Sequence, residues 1–218
     1  MALRTFDIDP DRVRDAVGGR VTIYRETAST NDLVRQLALS GAAEGEVVVA
    51  DRQTNGRGQF GRRWDSAAGL GLWFSLLLRP AWASQLDLVT PLVAVAVATG
   101  IEKTTGICPR IKLPNDVLFD RRKVAGILTE ARSGKETFAV VGIGVNVSHA
   151  ATDFPIELQS TATSLELATG STVDREALLI SILGEIHGLY SRHATPTTEV
   201  LDLYAALSRR PDCGSFPA

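Results

Sequence analysis

"TNGRGQFGRRW", residues 54–64, is the stretch on which the fold turns. Gly56, Gly58 and Gly61 satisfy G-x-G-x-x-G, and the run "EVVVAD" at 46–51 just before them reads as a strand, the context that a dinucleotide-binding fingerprint requires. The second half of the fingerprint fails. Its last glycine should open a helix whose N-terminus meets a pyrophosphate, whereas "RRWDSAAGLG" places Trp, Asp and two further glycines there, and about 20 residues on stands Ala81 in place of an acid. Arg57, Arg62 and Arg63 are foreign to that fingerprint. Crowded into one flexible segment, their mutual repulsion is relieved best by an anion, and glycine amides add donors for carboxylate or phosphate oxygens. The alternative is a surface connection with solvated arginines.

Outward from the loop, "VTIYRE" (21–26) alternates like a strand, and "TASTND" follows with Ser29, Thr30 and Asp32 arranged as a capping box for a helix ending near Gly41. "LWFSLLLR" (72–79) is a central strand by its continuous apolar run, and 87–105 reads as a long core helix. "RIKLPNDVLFDRRKVAGILTEA" predicts strands on either side of Pro114 with a polar turn at 120–122, and "TFAVVGIGVNV" a strand interrupted by Gly142 and Gly144. Asp174 is the expected cap of a helix carrying Leu178, Ile182, Ile186 and Leu189 on one face, with a short helix at 199–207 after it. No internal repeat or low-complexity linker divides the chain, so these elements make one α+β domain over 1–207 with 208–218 as a tail.

Composition narrows the function. A formal charge of −2 over 218 residues provides no global basic field for nucleic acid, so anion binding must be local. The apolar stretch 88–101 is broken by Thr90 and Pro91 and is shorter than the roughly 18 residues needed to cross a bilayer. The charged first 20 residues do not resemble a signal peptide, and Cys108 and Cys213, without C-x-x-C spacing, fit a reducing cytoplasm. His149, His187 and His193 form no cluster at ligand spacing, so surface or satisfied core roles are expected and no protein metal site.

Lysine is scarce: Lys103, Lys112, Lys123 and Lys135 stand against 19 arginines. If the strands around Pro114 form a hairpin, Lys112 and Lys123 converge on one face beside Gly126, where they suit a phosphate or carboxylate; otherwise both are ordinary exposed lysines.

"GRGQFGRRW", "KLPNDVL", "KVAGILTE" and "GIGVNV", with "STND" before and "ATSL" (162–165) after, resemble the biotin protein ligases in order and spacing over roughly 22–204. The resemblance implies a mixed β-sheet backed by helices, like the catalytic domain of class II aminoacyl-tRNA synthetases. It implies activation of biotin by ATP, with Mg2+ accompanying the nucleotide, to biotinoyl-5′-AMP. Transfer then follows to one lysine of the biotin carboxyl carrier domain of a biotin-dependent carboxylase. A homodimer is compatible with it; DNA and membrane partners are not expected, because the residues before the first strand are too few for a helix-turn-helix fold.

Carried over by motif, Ser29, Thr30, Asn31, Gln53, Gly56, Arg57, Gly58, Gln59, Lys123, Gly126 and Gly142 correspond to the biotin side. Arg62, Trp64, Lys112, Asn115 and Asn146 correspond to the nucleotide side, and Arg57, Lys112 and Lys123 to the catalytic cations. Trp64, Asn115 and Asn146 are equally suited to filling or capping a sheet. Gln59 stands where the family carries Arg or Lys, which implies a looser hold on the adenylate, and Leu113 replaces a Trp. The small SH3-like C-terminal domain of the family has no counterpart in "SRRPDCGSFPA". Two other readings share the fold or the site: a lipoate or octanoate ligase, whose transferase type needs a reactive thiol, whereas Cys108 lies outside the motifs beside Pro109 and a strand start, where a structural role is expected, and a pseudoenzyme that binds biotin or its adenylate without efficient transfer.

Overall fold

The computed structural model describes residues 7–80, 83–134, 136–192 and 198–212; Lys135, His193 and Cys213 lie outside the described residues. Its strands are β1 Arg20–Thr27, β2 Glu46–Gln53, β3 Gly71–Leu78, β4 Arg110–Lys112, β5 Asp116–Phe119, β6 Arg122–Arg132 and β7 Phe138–Asn146. They form one sheet in the order β1-β2-β3-β7-β6-β5-β4. β1 and β2 are parallel, as a crossover helix between them requires, and all other neighbours are antiparallel. The helices are α1 Pro10–Val17, α2 Thr30–Leu39, α3 Val89–Thr105, α4 Leu165–Thr169, α5 Arg175–Arg192 and α6 Thr198–Arg209. The arrangement is the expected α+β fold with a mixed sheet.

Period-two alternation splits the sheet into two faces. On one, Phe74, Leu76 and Leu78 of β3 and Val141, Ile143 and Val145 of β7 join the main core with α3 and α5. On the other, Leu77 and Val140 pack under Val34 and Ala38 of α2 in a second, smaller core. Continuing along this second face, the register sets Ser75 of β3 beside Gly142 of β7, and Trp73 beside Gly144. The small core therefore stops where serine and glycine replace bulk.

Gly142 and Gly144 do not interrupt β7, contrary to the sequence expectation: the strand is continuous from Phe138 to Asn146. Their role is space. A Cβ on Gly142 would lie 2.2 Å from Asn31 Oδ1, and one on Gly144 2.6 Å from the Trp64 indole nitrogen, so the missing side chains make room for one residue from the first turn of α2 and one from the β2–β3 loop.

Two helices escaped the sequence reading. α1 is capped by Asp9, whose carboxylate accepts the Asp11 amide, and it ends at Gly18 in the left-handed region. α4 is a single turn capped by Ser164. Asp174 caps α5 as expected, accepting the amides of Glu176 and Ala177. α6 runs on to Arg209, and two of the described residues after it are tied down: Arg210 pairs with Glu102 at 2.8 Å and Asp212 with Arg110 at 3.2 Å. Among the described residues no helix is long and apolar enough to cross a membrane.

Candidate functional site

On the glycine-lined face a cavity of about 520 Å³ opens between the β2–β3 loop, the start of α2, the β4–β6 strands and the segment after β7. It is of the size that holds a small-molecule ligand. Its walls include every residue carried over by motif to the biotin and nucleotide sides except Gly56. Gly56 lies behind the wall, where a Cβ would meet the Trp64 carbonyl at 2.5 Å; it permits a close backbone approach and does not touch the cavity.

One end of the cavity carries a chain of uncharged hydrogen-bonding groups. The parallel strands β1 and β2 leave the sheet side by side, with the Thr54 and Asn55 amides donating to the Thr27 and Ala28 carbonyls at 2.9 Å. This sets Ser29–Asn31 against Gln53. The Gln53 side-chain carbonyl accepts the Thr30 amide at 2.9 Å, and its amide nitrogen donates to Ser66 at 2.9 Å. Ser75, fully buried, donates to Asn31 Oδ1 at 2.6 Å and lies 2.7 Å from the Thr30 hydroxyl, while Asn31 donates to Glu130 at 2.7 Å. Ser75 was not foreseen; its signal is the single polar residue inside "LWFSLLL". The capping box was not realised: Ser29 occupies the N-cap of α2 without a side-chain bond, because this corner faces the cavity.

The arginine loop is a small pinched hairpin. Arg57 bridges to Arg63, the Gly58 amide donates to the Arg62 carbonyl at 2.7 Å, and Gln59–Gly61 make the tip, with Phe60 at φ 59° and 92% exposed. The expectation of three free arginines awaiting an anion fails for Arg57. Its guanidinium grips both carboxylate oxygens of Asp32 at 2.7 and 2.8 Å, with Glu130 at 3.9 Å. The carboxylates of Asp32 and Glu130 offset its charge, and the bidentate pair fastens the loop to α2.

That pair has an acid signature. The Arg57 hydrogen bond, partly offset by burial and aided by the charges of Arg57 and Arg35, holds the Asp32 carboxyl below its ordinary value of 3.8. A carboxyl whose pKa is lower in the folded state contributes stability above the unfolded value and loses it as pH falls through the folded one. Wild-type stability is therefore expected to drop by about 1 kcal/mol more than that of Asp32→Asn between about pH 5 and 2, in urea melts read at each pH. Parallel pH profiles would refute the pair's contribution.

The lysines do converge. Lys123 lies 2.5 Å from Asp116, and its ammonium stands 4.9 Å above the Trp64 ring. Lys112 pairs in register with Asp116, and both lysines line the cavity. Asn115 and Asn146 line it too, but their amide nitrogens are engaged by backbone carbonyls, Ile127 at 2.7 Å and Thr163 at 3.1 Å. They brace the wall they belong to.

The far end is aromatic. His149 stacks on Phe154 with centroids 4.8 Å apart and sits edge-on to Trp73, which in turn meets Trp64 edge-on. Burial pushes the His149 pKa down, partly opposed by Asp153 and Asp65, so its imidazole is neutral near pH 7. His149 thus has a place in the cavity wall that spacing did not reveal. Cys108 does not line the cavity. Among the described residues no group of three or more His, Cys, Asp or Glu is placed to hold a metal ion.

The model of the biotin/lipoate A/B protein ligase family matches residues 23–148, and the chain belongs to that family. Within it, the chain is 43% identical over 175 residues to the bifunctional ligase/repressor BirA of Bacillus spizizenii, covering 78% of this chain and 54% of that one. It is 32% identical over 212 residues to the biotin–[acetyl-CoA-carboxylase] ligase of Mycobacterium tuberculosis, covering 87% and 74%. In structure it is similar to the biotin protein ligase of Aquifex aeolicus in complex with biotin and ATP, with a TM-score of 0.70 and 35% identity over 80% of this chain and 71% of that one. The chain spans about half the length of the BirA relatives it matches.

Proposed function

We propose that this chain activates biotin with Mg-ATP to biotinoyl-5′-AMP and transfers the biotinoyl group to a lysine of a carboxylase carrier domain. The observation that carries the reading is the order of chemistry along one cavity. An uncharged hydrogen-bonding end suits a ureido ring, a cationic middle suits a carboxylate meeting a phosphate, and an aromatic end suits a nucleobase.

In the first step a biotin carboxylate oxygen attacks the α-phosphorus and the bond to the β-phosphate breaks, releasing pyrophosphate. In the second the lysine amine attacks the acyl carbon and AMP leaves. Both reactants of the first step are anions, so the protein's contribution is alignment and charge screening. Lys123, anchored by Asp116 beside Trp64, is assigned to the carboxylate and α-phosphate; Lys112 and Arg62 are assigned to the nucleotide phosphates. Arg57, already neutralised by Asp32, positions the loop and the Asn31 side of the pocket. Neutral Gln59 at the loop tip leaves the adenylate with one cation fewer than the family pattern provides.

A lipoyl or octanoyl chain has no group to answer the spare hydrogen-bonding capacity of Ser29, Asn31 and Gln53 on the cavity wall, and covering such groups without a partner is costly. Pyrophosphate exchange into ATP is therefore expected with biotin and not with lipoate or octanoate, tested side by side. Exchange with lipoate but not biotin would overturn the reading, and biotin binding without exchange would favour the pseudoenzyme.

A further inference from the structure

Arg121 belongs to none of the motifs and has no role in the reading above. Phe119 pairs with Arg122 across β5 and β6, so Asp120 and Arg121 alone make a two-residue hairpin loop. Both have positive φ, 46° and 62°. Hairpin loops of this kind favour Asn or Asp followed by Gly, because an ordinary side chain in the left-handed region crowds its own backbone. Asp120 fits that preference. Arg121 violates it, holding a strained backbone where glycine would be relaxed, and such strain concentrates where a side chain is needed.

The side chain has a destination. Arg121 is exposed at the end of the hairpin, lines the cavity, and precedes Lys123 by two residues. The cavity's cations divide into two groups. Arg57 and Lys123 are paired with Asp32 and Asp116, whereas Arg62, Arg63, Lys112 and Arg121 make no ion pair among the described residues. Two facing acids pair with none of these cations, Asp65 and Asp153, the latter accepting the Ala150 amide at 2.8 Å, so the four cations outnumber them by two. The rim therefore holds more positive charge than a single carboxylate requires, and the excess matches a polyphosphate.

We propose that Arg121 binds the β- and γ-phosphate oxygens of ATP and then the departing pyrophosphate. The proposal rests on the adenylation reading, and the phosphate chain is favoured over an acidic protein surface because Arg121 lines the same cavity as Lys123.

The test is Arg121→Gly in the full chain, with Arg121→Lys as the conservative variant, measuring affinities for ATP, inorganic pyrophosphate, AMP and biotin together with thermal stability. In Arg121→Gly the affinities for ATP and pyrophosphate are expected to fall about five- to tenfold, while AMP and biotin binding are unchanged and Tm rises by about 2–4 °C as the strain is released. Arg121→Lys should recover most of the pyrophosphate affinity. Normal pyrophosphate binding by Arg121→Gly, with the wild type active, overturns the proposal and leaves the adenylation reading standing. Equal losses for all four ligands overturn it in favour of a structural role. A raised KM for the carrier with pyrophosphate binding intact overturns it in favour of an acidic partner. A wild type that neither binds ATP nor exchanges pyrophosphate overturns the adenylation reading itself.

Discussion

Gly142→Ala is expected to weaken biotin binding at least a hundredfold. The added methyl would lie 2.2 Å from Asn31 Oδ1 and 2.9 Å from its Cγ, closer than a Cβ comes to a non-bonded heavy atom. β7 is the central strand between β3 and β6 and cannot retreat, so Asn31 must move. Moving it breaks the bond from Ser75 at 2.6 Å and the one to Glu130 at 2.7 Å, and it dismantles the polar end of the cavity. Overpacking costs about 1–3 kcal/mol and each lost buried hydrogen bond about 1 kcal/mol more. Part of this falls on folding, so the second variant is Gly142→Ala with Asn31→Ala, which removes the clash. Its thermal stability should return toward wild type while calorimetric biotin affinity stays lost. Wild-type affinity in the single variant would show that Asn31 has no part in the pocket.

Lys123→Ala is expected to weaken biotin binding by about 1.5–3 kcal/mol, the range of a charge-assisted hydrogen bond. Pyrophosphate exchange should fall further, by about a hundredfold, because the charge that develops as carboxylate meets phosphate is greater than in either ground state. The substitution also strips Asp116 of its partner, so Asp116→Asn/Lys123→Ala is the necessary control. If the double variant restores biotin affinity, the loss came from an unmatched Asp116 carboxylate and Lys123 is a structural cation. If it does not, the ammonium itself meets the ligand.

The β-strands and the long helices could be read from the sequence because their signal is local: β-branched alternation in 21–26, an unbroken apolar run in 72–79, a helical stripe from Leu178 to Leu189. α1 was obscured by its charges, although Asp9-Pro10 at one end and Gly18 at the other are the expected cap signals. α4 is too short to carry periodicity. Gly142 and Gly144 were placed in the right strand with the wrong consequence, since a strand glycine can mark a break or a close approach and only the register with Ser75 and Trp73 decides. The site follows the same division. Most motif residues line one cavity and Gly56 does not, whereas Ser75, His149 and the pairing of Asp32 with Arg57 depend on contacts between segments far apart in sequence, which no spacing encodes.

The lone parallel pair in the sheet sets the lever arm of the loop above the cavity. Because Thr54 and Asn55 are hydrogen-bonded to the end of β1, and Arg57 is clasped to α2, the stalk of the loop cannot swing without dragging a strand and a helix with it. Only the tip from Gly58 to Gly61 is left to act as a latch, a few residues that span about 10 Å of chain. Under the proposed transfer reaction, an acceptor lysine enters beside a short tip set in a fixed frame, so the reach of the loop adds little to the choice of amine.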